Sequence, residues 1–242
     1  YNQEPGVVQH IQSLTWSRER QGRSTARSLS HSFTQEWPLG GMRHQGSYTI
    51  PFERLRGDQP RASGIGDVLL NYRCQVWEES DARPAFAPRA SIILPTGDDG
   101  DGLGSGSVGY QVNLPLSKKV GDLHLHLNAG FTAFPGARRD LPGAGRSDSM
   151  DLWSTHFGFS GILLLRPELN VLLEFLASSE QSIDDSGREA DSSRALFSPG
   201  IRYALNTRSG AQWVLGAALP AGLSDDEDDF GLLAYLSFEH PF

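Results

Sequence analysis

Long apolar runs are missing from this 242-residue chain, whose longest aliphatic run is Ile162-Leu163-Leu164-Leu165. A spanning helix needs about 20 apolar residues in a row, so helical membrane spans are excluded. Cysteine is nearly absent, with Cys74 alone, which rules out an internal disulfide framework and a Cys-based zinc cluster. Lysine is confined to Lys118 and Lys119, side by side. A basic surplus is lacking too: 21 Lys and Arg face 29 Asp and Glu, for a net charge of −8. That balance argues against a general nucleic-acid binder. The chain opens at Tyr1 with no charged or apolar leader, so a processed mature form is expected. None of these absences excludes a transmembrane barrel, because a barrel strand needs only about 10 residues of alternating character.

Alternation is what the chain has instead. The clearest stretch is 123–133, where Leu123, Leu125, Leu127, Ala129, Phe131 and Ala133 share one face, opposite His124, His126, Asn128, Gly130 and Thr132. Period two belongs to a strand; helical faces repeat near 3.6. Val108, Tyr110, Val112 and Leu114 repeat it against Gln111 and Asn113, and Val68, Leu70 and Tyr72 against Asp67, Asn71 and Arg73. The same holds for Leu169, Val171 and Leu173 against Glu168, Asn170 and Glu174. The last strand alternates Phe230, Leu232, Ala234, Leu236 and Phe238 with more polar neighbours, and His240 interrupts before Phe242. Such a strand ending in Phe resembles the final strand of bacterial outer-membrane barrels. Phe238 and Phe242 are the expected assembly signal for the barrel-assembly machinery.

The composition of the polar face separates a membrane barrel from a soluble sandwich. A face open to bulk water is usually rich in Lys, Glu and Thr; here Gly, Ser, Asn and His dominate, with isolated charges. That is the composition of a crowded or wet lumen. The reading is an all-β, transmembrane, antiparallel up-and-down β-barrel of about 12 strands, forming one domain over 1–242. Connections alternate in length. The longer set is 17–25, 55–63, 97–104, 135–149, 179–193 and 224–229; the shorter set is 38–45, 77–84, 118–121, 166–167 and 206–210. Short periplasmic turns and long external loops place both termini in the periplasm of an outer membrane. Tyr72, Tyr110, Trp77, Trp153, Trp213 and Phe230 fall where interfacial aromatic girdles belong.

The first strands, near 8–17, 28–37 and 46–54, alternate less cleanly. Arg18, Glu19 and Arg20 crowd the first turn, and His31 and Gln35 fall on the expected lipid face. Either these strands are short or a partner covers the face.

Three stretches carry a family resemblance: Gly64-Ile-Gly-Asp-Val-Leu-Leu-Asn-Tyr-Arg73, Ala90-Ser-Ile-Ile-Leu-Pro-Thr-Gly97, and the strand 123–131 with Asn128-Ala-Gly-Phe131. They resemble the "GxGD", "LPTGD" and "NxG" elements of the outer-membrane transporter family named for the MetA pathway of phenol degradation. The resemblance spans roughly residues 64–131, more loosely to the end, and the first sixty residues fit poorly. It implies a small outer-membrane barrel passing small hydrophobic or aromatic molecules, and it carries over no catalytic residues.

Candidate lumen-lining residues are Asp67, Asn71, Arg73, Arg89, Gln111, Asn113, His124, His126, Asn128, His156, Arg166, Glu168, Asn170, Glu174, Arg202 and Glu239. Unpaired buried charge is costly, so a plugged barrel would pair these groups and a conducting one would leave them wet. His124, His126 and His156 can bind a metal or a proton, though hydrogen bonding to neighbours such as Asn128 is the simpler reading. Ser154 with His156 lacks the orienting group and oxyanion donors of a hydrolase. The acidic stretches 98–102 and 225–229 fall in external loops; Asp98, Asp99 and Asp101 are candidate Ca²⁺ ligands, with a solvated loop as the alternative. No other cofactor is expected. The expected partners are outer-membrane lipid, lipopolysaccharide and an envelope protein. The functional expectation is a passive channel for small molecules, with a plugged, partner-binding barrel as the alternative.

Overall fold

The computed structural model describes residues 5–21, 24–57, 61–141, 145–184, 186–223 and 229–241. They form strands and turns without a helix. In chain order the strands are β1 (Val7–Gln21), β2 (Ser24–Pro38), β3 (His44–Arg56), β4 (Ala62–Ile65), β5 (Val68–Cys74) and β6 (Ala85–Phe86). Then come β7 (Arg89–Leu94), β8 (Gly109–Val120), β9 (Leu123–Ala137), β10 (Asp140–Leu141), β11 (Gly145–Arg146) and β12 (Met150–Arg166). Last are β13 (Leu169–Ile183), β14 (Glu189–Asn206), β15 (Gln212–Ala218), β16 (Ala221–Gly222) and β17 (Phe230–Pro241).

The barrel wall runs β1-β2-β3-β5-β7-β8-β9-β12-β13-β14-β15-β17, and β17 pairs back onto β1 from Val7↔Pro241 to Arg18↔Phe230. The result is a closed, antiparallel barrel of 12 staves. Closure removes the unpaired strand edge that hydrocarbon cannot satisfy. β4, β6 and β16 prolong staves that are briefly broken, at Gly66-Asp67, Ala87-Pro88 and Leu219-Pro220. Proline lacks the N–H that the ladder needs, which accounts for the last two breaks.

The pattern of exposure is inverted relative to a water-soluble protein. Tyr110 (55% exposed), Leu173 (49%), Phe131 (49%) and Leu232 (51%) face outward, whereas Gln45 (2%), Asn113 (3%) and Ser237 (0%) are buried inside. A contiguous apolar exterior of this extent is stable only against another apolar medium. The aromatic residues expected in girdles, Tyr72, Tyr110, Trp77, Trp153, Trp213 and Phe230, are all outward and exposed.

The structure extends several strands past their apolar pattern. Stretch 179–193 was expected as a loop, yet β13 and β14 stay paired up to Ile183↔Glu189. Stretch 17–25 likewise belongs to the β1–β2 hairpin, paired to Gln21↔Ser24. Backbone pairing there continues beyond the height at which side chains need to match lipid, so apolar alternation stops before the strand does.

Asp184 closes the β13–β14 tip. Its Oδ1 accepts from the Ser186 N–H (2.8 Å), the Ser186 hydroxyl (2.6 Å) and the Arg188 N–H (2.9 Å). These bonds, that of the Ser186 hydroxyl foremost, hold its carboxyl below the usual range. A carboxyl lowered in the folded state contributes stability above its unfolded pKa and loses it as pH falls through the folded one. The tip should therefore be indifferent to pH near neutrality and loosen only in acid. Hydrogen exchange at the Arg188 amide, followed from pH 7 downward, checks this, and Asp184→Ala should exchange fast throughout.

The imperfect outer face of β1–β3 is reconciled by local pairing. Gln12 and His31 hydrogen-bond each other at 2.9 Å, the Tyr48 hydroxyl donates to Gln35 at 2.7 Å, and His10 meets His240 at 3.3 Å. Each of these polar groups thus finds a partner on the next strand, which lowers its cost in hydrocarbon. The strands are long, not short.

Candidate functional site

The lumen is assembled from the inward half of each alternating strand. On β3, β5, β7, β8, β9 and β12 these side chains form a polar belt of two hydrogen-bonded groups. Asn71 donates to Ser47 (3.2 Å) and accepts from Ser91 (2.7 Å); Arg89 donates to Gln111 (3.2 Å), which accepts from Asn113 (2.8 Å) and donates to Thr132 (3.0 Å). Asn113 Oδ1 lies 2.6 Å from His156 Nε2 and accepts from Asn128 at 3.1 Å. Across the barrel Gln45 donates to Glu36 (2.7 Å), and Gln9 donates to Ser237 (3.0 Å) and Glu239 (2.6 Å). Arg202 stacks over the Tyr235 ring at 5.4 Å. Even so, polar atoms of Arg73, Arg89, His124, Asn128, Ser160 and Asn170 have no hydrogen-bond partner among the described residues. Buried polar groups normally have one, so the belt retains capacity for water or solute.

Beyond the belt lies a chamber of about 950 Å³. Its inward-facing lining includes Thr15, Ser17, Ser30, Glu53 and Glu174, together with Leu55, Leu176, Leu196 and Leu233. At its mouth Arg194 on β14 reaches Glu19 on β1 at 2.7 Å, spanning the intervening strands β16 and β17. A second space of about 310 Å³, bordered by Glu180, Asp191 and Asp229, adjoins this ion pair.

The expected lumen residues separate into three groups. Asn71, Arg73, Arg89, Gln111, Asn113, His124, His126, Asn128, His156, Asn170, Glu174, Arg202 and Glu239 occupy inward positions of the paired strands. Glu168 stands exposed in the β12–β13 turn, and Arg166 stands exposed at the end of β12, paired with Leu169 after the register shifts between Leu164 and Arg166. Asp67 sits at the stave break, where its carboxylate accepts from the Gly97 N–H (2.9 Å), the Ser105 N–H (2.8 Å) and the Ser105 hydroxyl (2.8 Å). It is a clamp for the loop after β7, not a pore group. Thr96 completes the clamp, donating to the Gly66 carbonyl (2.8 Å) and accepting from the Val68 N–H (3.0 Å). This explains why "GxGD" and "LPTG" occur together. Glycine is required at position 97, where a Cβ would stand 2.2 Å from the Leu103 carbonyl oxygen.

The three histidines do not converge. His126 bonds the Ser117 hydroxyl (2.8 Å) and His156 bonds Asn113 rather than Ser154. In the loops Asp99 pairs with Arg146 (3.0 Å), and the Asp98 Oδ1 accepts from the Asp101 N–H (3.1 Å). Among the described residues, no three His, Cys, Asp or Glu side chains stand close enough to hold a metal ion. Of the assembly residues, Phe238 stacks on Trp213 with ring centroids 4.2 Å apart, while Phe242 lies outside the described residues.

Sequence reading missed Gln9, Ser17, Glu19, Glu36, Gln45, Glu53 and Arg194. All but Arg194 belong to the first three strands, where polar residues occupy both faces and hide the period. Strand pairing supplies the missing signal, since Gln9 opposes Glu36 and Glu239.

A closed 12-stranded wall, an apolar exterior and a polar interior define the outer-membrane type of β-barrel. The chain belongs to the family described as "Putative MetA-pathway of phenol degradation", which it matches over residues 7–239. The match includes the first strands, beyond the 64–131 core of the motif resemblance. An outer membrane channel from Pseudomonas putida F1 is similar in structure, with TM-score 0.73 and 13% identity, covering 99% of this chain and 97% of that one. The translocator domain of the autotransporter NalP from Neisseria meningitidis follows, with TM-score 0.57 and 12% identity, over 100% and 90% of the two chains. The NanC porin has TM-score 0.51 and 10% identity, over 94% and 98%. At these identities the likeness concerns the fold. No curated protein matches the chain in sequence.

Proposed function

We propose that the protein is an outer-membrane channel passing small, partly apolar molecules, with both termini periplasmic. The observation that carries this reading is the chamber of about 950 Å³, in which four inward leucines, Leu55, Leu176, Leu196 and Leu233, are interleaved with hydroxyls and carboxylates. A lumen carrying only water and ions gains nothing from leucine, whereas an aromatic or short aliphatic solute gains burial of its apolar surface. The polar belt then accepts the solute's polar end, and pore width and charge set selectivity. The family's description, tied to phenol degradation, agrees with an aromatic cargo.

The second reading, a plugged partner-binding barrel, draws on the deep burial of Gln45 (2%) and Asn113 (3%) in the belt. Solute entry distinguishes the two. Proteoliposomes containing the whole protein should swell in small aromatic carboxylates and amides. Arg194→Ala should raise the rate severalfold by removing the Glu19–Arg194 bridge at the mouth. Vesicles that stay impermeable with both proteins would refute the channel and favour the plug.

A further inference from the structure

By strand register a row of four arginines shares the outward phase of the first three strands, three of them (Arg18, Arg27 and Arg56) at the rim where they also border the chamber. β1 and β2 pair without interruption, as do β2 and β3, so alternation holds to the ends of the hairpins. Arg18 stands directly opposite Arg27, and Arg27 directly opposite Arg56; Arg54 lies two residues before Arg56 on the same face. That face is the one bearing the exposed Leu14 and Phe52. On the other side Arg18 opposes Phe230, and Trp16, two residues below, packs edge-on against that ring at 5.3 Å. The row therefore sits at the aromatic girdle, the level of lipid headgroups.

Directly opposed like charges destabilise a sheet, and here three guanidinium groups follow one another across adjacent strands. None of the four makes an ion pair among the described residues. The Arg18 Nε is buried and has no hydrogen-bond partner among the described residues. In a chain of net charge −8 this concentration of positive charge is local, and no ion pair among the described residues compensates it. Strands about 4.8 Å apart set the guanidinium groups at a spacing that lets one phosphate be shared between neighbours. The planar fork of arginine suits bidentate phosphate binding.

We propose that this row, Arg18, Arg27, Arg54 and Arg56, binds the phosphates of lipopolysaccharide in the outer leaflet. The assignment rests on the orientation given above, in which the β1–β2 hairpin is external. Phosphate oxygens would supply the anion that the protein withholds, while Trp16, Phe230 and Phe52 meet the first acyl carbons.

The test titrates the whole, folded protein in detergent with diphosphorylated lipid A, its dephosphorylated form, and phosphatidylglycerol. Folding is checked by heat-modifiable gel migration. Wild type should prefer diphosphorylated lipid A, and Arg27→Gln/Arg56→Gln should weaken it about tenfold, as loss of charge-assisted contacts implies. Arg208→Gln, in the exposed turn between β14 and β15 at the opposite rim, should change nothing. Equal binding of the two lipid A forms by wild type would overturn the proposal without any variant. So would undiminished lipid A binding by the double variant. Preference for phosphatidylglycerol would overturn the outer-leaflet assignment and with it the orientation. Solute permeation is measured separately, so failure of the channel reading and failure of this one are distinguishable.

Discussion

Phe159→Arg is expected to destabilise the inserted barrel strongly, whereas Gly158→Arg is not. Phe159 lies midway along β12 on the outer face, 42% exposed, flanked on that face by Phe157 and Gly161. An arginine at the bilayer midplane of a barrel costs about 2–4 kcal/mol. Gly158 points into the lumen, where an added Cβ meets nothing nearer than 3.9 Å, and its cross-strand neighbours are Asn128 and Leu176. The same charge there remains hydrated. Urea-dependent folding into phospholipid vesicles should therefore show Phe159→Arg destabilised by that amount and Gly158→Arg within about 1 kcal/mol of wild type. Equal effects at the two positions would mean the faces are misassigned.

The second large effect concerns Asp67. Its carboxylate accepts from two backbone N–H groups and one hydroxyl of the loop after β7, the shortest bonds being 2.8 Å. Asp67→Ala leaves the Gly97 and Ser105 N–H groups unpaired, at about 1–3 kcal/mol for each one shielded from water, while the Ser105 hydroxyl keeps the Ser107 carbonyl at 2.9 Å. The loop, which also touches the neighbouring β10–β11 hairpin through Asp99 and Arg146 (3.0 Å), should detach while the barrel stays closed. Hydrogen exchange at the Gly97 and Ser105 amides should speed up by two orders of magnitude or so, consistent with about 3 kcal/mol lost. The rest of the strand amides should be unchanged. Asp67→Asn keeps one acceptor and should fall between.

These two experiments also mark what the sequence made legible. The faces of β8, β9, β12 and β13 were readable residue by residue, because lipid imposes an apolar side chain at every second position and nothing else does. Lumen residues such as Asn113, His156 and Glu174 followed from the same alternation. Beyond the lipid, the rule lapses: β13 and β14 continue through Ser179, Ser182 and Ser192 on backbone pairing and polar side-chain contacts such as Gln181–Glu189 (2.6 Å), so a loop was expected where a hairpin stands. Asp67 shared the inward phase of Asn71 and Arg73, yet a break at Gly66-Asp67 turns it to a loop whose Gly97 and Ser105 lie 30 and 38 residues later in the chain. Contacts between distant segments leave no local periodicity. The Glu19–Arg194 bridge was invisible for the same reason, as was the arginine row, which exists only once β1, β2 and β3 are brought into register.

The central claim is that the lumen conducts. Single-channel recording from the whole protein in a planar lipid bilayer, with and without Glu174→Ala, tests it most directly. Glu174 lines the chamber, so the wild type should show discrete openings, and the substitution should shift ion selectivity away from cations. A folded, inserted barrel that stays silent in both forms would contradict the channel.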